Sequence, residues 1–414
     1  MANLSSLAGG FAALADRNFA WYMAGNAVSL AGFWVHKVAA GWLTWELTHS
    51  GTWLGLIAFA DLFPTLIFAP IAGVVADRVD RRRIALVSQA FAMVQALTLA
   101  ALVITGLIDV WSLLALTLAL GIIYSFNTSA RLAMLPNIVE RRHVSSAIAL
   151  NASLFNVARF IGPAIAGWLI AGWGVGLAFL FNGFAFVFFI VTLLRTRQIR
   201  HEQGGRGQGG LLRQSTEGLR YASAHPGIGP MLVLLTAMAV GVKCVLELLP
   251  GFADAVFARG APGLAQLTSA AGAGALVAAL WLVMRTRAVG LTAITIGSLG
   301  VGGVSVLGFA FFDAFLVGLA ASFMIGVTIT LSGTGTQTLM QNVVDGAMRG
   351  RVMSLYGVIY RGAPAVGALA MGGASEMIGL QAAVGGGAGI AGLAWLWLMR
   401  RRTRTAAALE QPPG

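Results

Sequence analysis

Six ionisable side chains sit inside apolar runs long enough to cross a membrane: Lys37, Asp61, Arg159, Lys243, Glu247 and Arg361. A charge at the bilayer centre costs about 2.5–3.5 kcal/mol on insertion scales, so each needs a partner or a task. Lys37 and Asp61 each lie about eight residues in from the outer end of their run, roughly 12 Å deep at 1.5 Å per residue, which suits an ion pair. Lys243 and Glu247 are spaced to share one face of a continuous α-helix. Arg159 and Arg361 have no obvious carboxylate. A guanidinium can grip a carboxylate or catecholate through paired donors, or bond helix carbonyls and act as a staple. Both readings stand at this point. The two arginines and two lysines form the candidate substrate-binding set. Asp61, Glu247 and His36, whose unperturbed pKa is about 6.5, form the candidate proton-coupling set.

Other chemistry is poorly represented. The stretch "GAGIAG" at 387–392 matches a dinucleotide fingerprint literally, but it lies in an apolar run with no strand before it, so close helix packing is the reading. HExxH, GxSxG and GxxxxGK[ST] motifs are absent from the sequence. The single cysteine, Cys244, rules out internal disulfides and CxxC redox chemistry. No enzyme activity, cofactor or metal site is expected.

The elements that must hold these groups follow from composition. Of the 414 residues, 58% are apolar and only 10% charged, with mean hydropathy +0.82. Soluble domains run at about 45–50% and about 25% respectively. A water-soluble globule could not hide that much hydrocarbon. Residues 1–18 include Asp16 and Arg17 and show no cleavable signal pattern. Runs of about 20 apolar residues occur twelve times, at roughly 20–45, 52–73, 84–106, 110–133, 146–171, 175–194, 228–252, 263–284, 289–311, 314–340, 350–374 and 377–398. They are numbered here as spans one to twelve. None of the six buried charges falls on spans three, six, nine or twelve.

Net charge is +12, and 22 of the 27 basic residues lie on one side if the N-terminus is inside. That asymmetry predicts cytoplasmic N- and C-termini in a plasma membrane, with a bacterial inner membrane expected. It also accounts for the basic pI without nucleic acid, for which no single basic face exists. A polar stretch separates the halves, giving an N-terminal six-helix bundle over 1–195, a cytoplasmic linker over 196–226 and a C-terminal bundle over 227–414. Gly204 to Gly210 reads as flexible, and Leu211 to Tyr221 as a short amphipathic helix on the inner surface. An offset of 205 aligns "PNIVERR" at 136–142 with "QNVVDGA" at 341–347, and Leu150, Gly162, Gly167 and Gly174 with Leu355, Gly367, Gly372 and Gly379. Residues 328–338 alternate with a strand period, yet a lone strand in lipid leaves its backbone unpaired. They read as a helix with hydroxyls bonded to its own carbonyls, irregular at Gly333 and Gly335.

The loop after span two carries "AGVVADRVDRRRIAL" at 72–86, and span five carries "FNVARFIGPAIAG" at 155–167. Together with "WELTHSGTWLGL" at 45–56 and "MRGRVMSL" at 348–355, these resemble the major facilitator superfamily, in the branch of enterobactin exporters and macrolide efflux pumps. The resemblance implies an all-α polytopic fold, twelve transmembrane helices in two pseudo-symmetric bundles. It implies a cytoplasmic latch of Gly73, Asp77, Arg78, Arg82 and Arg131, with Gly73 allowing close helix approach and Asp77 facing Arg131. The Arg81–Arg83 run would hold the loop at anionic headgroups. Gly162, Pro163 and Gly167 would pack and bend span five. The expected function is secondary transport: export of a small amphipathic molecule, a siderophore-like anion or macrolide-type drug, by proton antiport through alternating access. The expected partners are that solute, protons and the lipid bilayer, with a monomer as the working unit. The alternatives are an importer or facilitator on the same fold, or a non-transporting membrane scaffold.

Overall fold

The computed structural model describes residues 12–197, 211–285 and 289–410. Among the described residues there is no strand, and each expected run meets a helix. Spans one to six are Arg17–Thr48, Gly51–Arg78, Arg81–Ile104, Val110–Ile138, Val144–Trp173 and Val175–Arg195. Span seven begins as Ile228–Gly241, and spans eight to twelve are Gly260–Met284, Leu291–Phe311, Phe315–Val343, Gly346–Ile378 and Leu380–Leu409. Among the described residues ten helices are long and apolar enough to cross a membrane. Spans one and eleven clear the length, at 32 and 33 residues, but not the apolarity. Lipid-type exposure appears where no charge was found: Phe91 on span three, Phe184 on six, Val304 on nine and Leu393 on twelve are each more than 60% exposed. Large apolar groups in such numbers on an outer surface suit hydrocarbon as solvent and not water.

Two compact units emerge. One comprises Met1–Leu47 with Pro64–Gly207, the other Thr48–Phe63 with Gln208–Gly414. The start of span two therefore groups with the second unit. There Gly51 and Gly55 lie against the backbone of Gly372 and Ala368, and the Thr52 hydroxyl donates to the Gly372 carbonyl at 3.2 Å.

In the first unit the helix ends around Asn18 and Asp80 are tied by side chains that reach backbone carbonyls and amides. Asn18 Nδ2 donates to the carbonyls of Ile138 (3.1 Å) and Arg197 (2.8 Å), and its Oδ1 accepts the Arg197 amide at 2.7 Å. Asp80 caps span three by accepting the amides of Arg82 (2.7 Å) and Arg83 (3.2 Å). An anionic cap there also complements the positive end of the helix dipole. Beneath these ties, Phe19, Tyr22, Met134, Ile138 and Phe189 form a fully buried core. At the N-terminal end of span four Asp109 and Ser112 form a reciprocal capping box, and the Ser112 hydroxyl beside it holds the Asp109 carboxyl below its ordinary pKa.

In the second unit helices meet backbone to backbone. A Cβ on Gly274 would collide with the Phe323 carbonyl, and one on Gly326 with the Ala271 carbonyl, so spans eight and ten touch through glycine. The Thr328 to Thr338 stretch is one continuous α-helix. Thr330 bonds back to the Gly326 carbonyl at 3.1 Å, and Ser332 meets Ser298 at 2.6 Å. The irregularity expected at Gly333 and Gly335 is replaced by close packing: Gly333 admits the Tyr360 ring and Gly335 the Thr295 hydroxyl. Glu410 reaches from beyond span twelve to cap span nine, accepting the amides of Gly290 (2.6 Å) and Thr292 (2.8 Å).

The repeat is visible in backbone geometry. Gly174 has φ 85 and ψ 171, and Gly379 has φ 84 and ψ 156, each joining two spans within a single residue. A positive φ there favours glycine.

The linker helix is Leu211–Ala224, longer than expected, while Gly204 to Gly210 lie outside the described residues. It docks on the start of span eleven. Glu217 pairs with Arg351 at 2.8 Å, and the Tyr221 hydroxyl donates to Asp345 at 3.0 Å. Next to it, His225 Nδ1 accepts the amides of Gly227 (3.1 Å) and Ile228 (3.3 Å), capping span seven. Burial lowers the His225 pKa, opposed by Asp345.

Two predictions follow from this packing. Gly326→Val should cost about 1–3 kcal/mol or prevent folding, whereas Gly308→Ala, with open space around it, should hold or raise the melting temperature in detergent. The His225 cap requires the neutral ring. With the folded pKa below the unfolded value of about 6.5, its stabilisation is complete above that pH and is lost as pH falls through the lowered value. Melting curves between about pH 7.5 and 5.5 should therefore fall more steeply for wild type than for His225→Asn, which keeps a capping side chain without the charge.

Candidate transport site

Span one supplies the first unit with most of its polar chemistry. Asn26 is fully buried; its Oδ1 accepts from the Arg131 guanidinium and its Nδ2 donates to Asn151 at 2.8 Å. Arg131 also lies over the Phe189 ring, 4.7 Å from its centroid. One amide thus joins spans one, four and five. Asp77 ends span two, and its side chain lies outside the described residues. Arg78 is exposed at the same end.

The expected roles in the latch loop change in two places. Gly73 makes no close approach among the described residues: a Cβ there would meet nothing within 4 Å. Arg81 and Arg82 turn inward. Arg81 Nη1 donates to the Ala133 carbonyl at 3.0 Å, and Arg82 Nε to the Leu193 carbonyl at 3.1 Å, with its other donor on Leu194. Leu193 and Leu194 lie in the last turn of span six, where the helix dipole is negative; the Leu193 carbonyl also accepts the Thr196 amide at 3.3 Å.

Deeper in the first unit an aromatic string runs Tyr124, Phe33, Trp34, Phe155, with successive ring centroids 5.3, 5.5 and 5.9 Å apart. The Arg159 guanidinium lies over Trp34 at 5.7 Å. Gly162 makes room for this arrangement, since a Cβ there would collide with Trp34. Pro163 and Gly167 are buried on the same helix. His36 is 5% exposed, with its ring edge-on to Phe179 at 5.0 Å; among the described residues its Nδ1 has no hydrogen-bond partner. Lys37, next in the chain, is half-buried.

In the second unit span seven is not one helix. After Gly241 it tightens to a 3₁₀ turn over Lys243–Glu247, then continues through Leu249–Gly251 and a π turn over Phe252–Val256. This overturns the shared α-helical face expected for Lys243 and Glu247: at three residues per turn, positions four apart are rotated by about 120°. Lys243 donates to the Tyr360 carbonyl at 2.8 Å and lies 3.9 Å from the centroid of that ring. Tyr360 stacks on Tyr356 at 5.5 Å with planes 10° apart, and Arg361 follows in an exposed position. Asp61 and Glu247 are half-buried in this unit. Asn26, Trp34, Tyr356 and Tyr360 escape a reading that looks for charge. The available signal was Tyr360 standing four residues before Pro364.

A model of the transmembrane secretion effector family, a branch of the major facilitator superfamily, matches residues 8–413. The chain belongs to that family. It is 24% identical to the staphyloferrin A transporter of Staphylococcus aureus over 87% of this chain and 90% of that one. It is 23% identical to macrolide efflux protein A of Streptococcus pyogenes, over 81% and 84%. The solved nucleoside transporter NupG shares the fold, with TM-score 0.73 at 10% identity over 93% of this chain and 99% of that one. The chain is therefore a multi-pass membrane transporter and not an enzyme, and both relatives lie in the branch that the motifs resemble.

The Asn26 amide tests the polar junction. Asn26→Leu should leave Arg131 and Asn151 facing apolar atoms and lower stability by about 1.5–3 kcal/mol. Asn26→Leu with Arg131→Met should recover part of that loss in detergent melting curves.

Proposed function

We propose that this transporter exports a small amphipathic molecule from the cytoplasm in exchange for protons, and that an anionic, siderophore-like solute is preferred over a cationic macrolide. The observation that carries this reading is Arg159 over Trp34, within an aromatic string on the membrane-spanning helices. A planar guanidinium backed by aromatic faces suits a solute with an acidic oxygen pair and an apolar body. Arg361, exposed on span eleven, is the second anion contact, and Lys37 adds positive charge. The staphyloferrin A transporter among the relatives supports an anionic solute, and the macrolide pump supports outward transport. Asp61 and Glu247, carboxylates within spans, carry the exchanged proton with His36 as a further acceptor. Asp77, Arg78 and Arg131 bias the conformational equilibrium from the cytoplasmic side. The termini are cytoplasmic, and one chain transports on its own.

The test is transport by purified protein in liposomes of known orientation under an imposed pH gradient, with an anionic citrate-type siderophore and a cationic macrolide as probes. Arg159→Gln and Arg361→Gln should each reduce siderophore export about tenfold or more and leave macrolide movement unchanged. Asp61→Asn with Glu247→Gln should abolish uphill export while sparing exchange down a solute gradient. Accumulation of solute on the cytoplasmic side would show an importer instead, and wild-type siderophore affinity in both arginine variants would return the cationic drug to first place.

A further inference from the structure

The interruption of span seven and the proline of span eleven are joined by one side chain. In an α-helix the carbonyl of residue i accepts the amide of residue i+4. For Tyr360 that residue is Pro364, which has no N–H and whose ring crowds the same carbonyl. Inside hydrocarbon no water can take its place. Lys243 Nζ donates to this carbonyl at 2.8 Å, and the same ammonium lies over the Tyr360 ring at 3.9 Å. The ring is held on other sides. It stacks on Tyr356, whose hydroxyl donates to the Gly333 carbonyl at 3.1 Å, and a Cβ on Gly333 would stand 2.6 Å from the Tyr360 ring. Lys243 is also the first residue of the 3₁₀ turn. The chain on either side of it packs on span eleven: Gly367 lies against Val240 and Cys244, and Cys244 Sγ meets Met371 Sδ at 3.5 Å.

We infer that Lys243 is a positioning residue that supplies the Tyr360 carbonyl with the donor Pro364 removes, and so locks the interruption of span seven to the bend of span eleven. Its ammonium serves the helix and not the solute, and the lock sets the place of Arg361, the next residue along. The inference is independent of which molecule is transported. It has a sharp consequence: Lys243 is needed only while residue 364 is proline. With alanine there, the backbone amide returns and the lysine becomes dispensable.

The single native cysteine offers a readout that needs no substrate. Cys244 is buried beside the lock, so its rate of reaction with N-ethylmaleimide in the full-length protein in liposomes reports local opening. Lys243→Met should raise that rate about tenfold or more, and Pro364→Ala alone should leave it within about twofold of wild type. The double variant Lys243→Met/Pro364→Ala should return close to the wild-type rate. Wild-type labelling of Lys243→Met, or a double variant that labels as fast as Lys243→Met, would overturn the inference. If Lys243→Met cannot be recovered folded, recovery of the folded double variant supports the lock, and its failure to fold overturns it.

Discussion

A backbone in hydrocarbon must satisfy its own hydrogen bonds, and most of the specific chemistry of this protein answers that constraint. At several helix ends and interruptions a side chain comes to a backbone carbonyl or amide. Asn18, Arg81 and Arg82 serve carbonyls on spans four and six, Asp80 and Glu410 serve amides at the starts of spans three and nine, and Lys243 serves the carbonyl left by Pro364. Several of these side chains are charged. A charge on a polar backbone group gives a stronger hydrogen bond than a neutral partner, and the ion in turn is not left bare in an apolar medium.

The same constraint shapes the distribution of function. Spans three, six, nine and twelve turn large apolar groups outward and carry none of the six charges that lie within apolar runs, while spans one and eleven are too polar to pass as ordinary membrane helices. Those two polar helices bear Asn26, Trp34, Lys37, Tyr360 and Arg361. Polarity has been concentrated where it can be satisfied by neighbouring helices. Glycine supplies the counterpart, since backbones can touch only where no side chain intervenes, as at Gly274 and Gly326.

Much of this was legible in the sequence. The twelve runs, the hydroxyl-rich helix of span ten and the paired hinges at Gly174 and Gly379 follow from apolar length, backbone satisfaction and the 205-residue offset. What escaped is instructive. Helices continue past the hydrocarbon into charged sequence, as in Gly346–Ile378 and Leu380–Leu409, because arginines extend a helix as readily as leucines and nothing at those points stops it. The break in span seven lies between Gly241 and Pro250; that proline leaves the Leu246 carbonyl without its i+4 amide, a signal that the unbroken apolar run over 228–252 hides. Gly73 differs in another way: a glycine late in span two suggested close contact, but contact is a property of the neighbour, and none stands within 4 Å among the described residues.

The cap that Glu410 places on span nine bears on how the chain is made. Span nine begins at Leu291, and the carboxylate that takes up its first amides lies about 120 residues later. During synthesis the first turn of that helix enters the membrane with those amides still uncapped. Closure of the second unit at this edge must wait until residue 410 has left the ribosome. Insertion of these helices and completion of their packing are therefore separate events in time, and anything fused before Glu410 would intervene between the two.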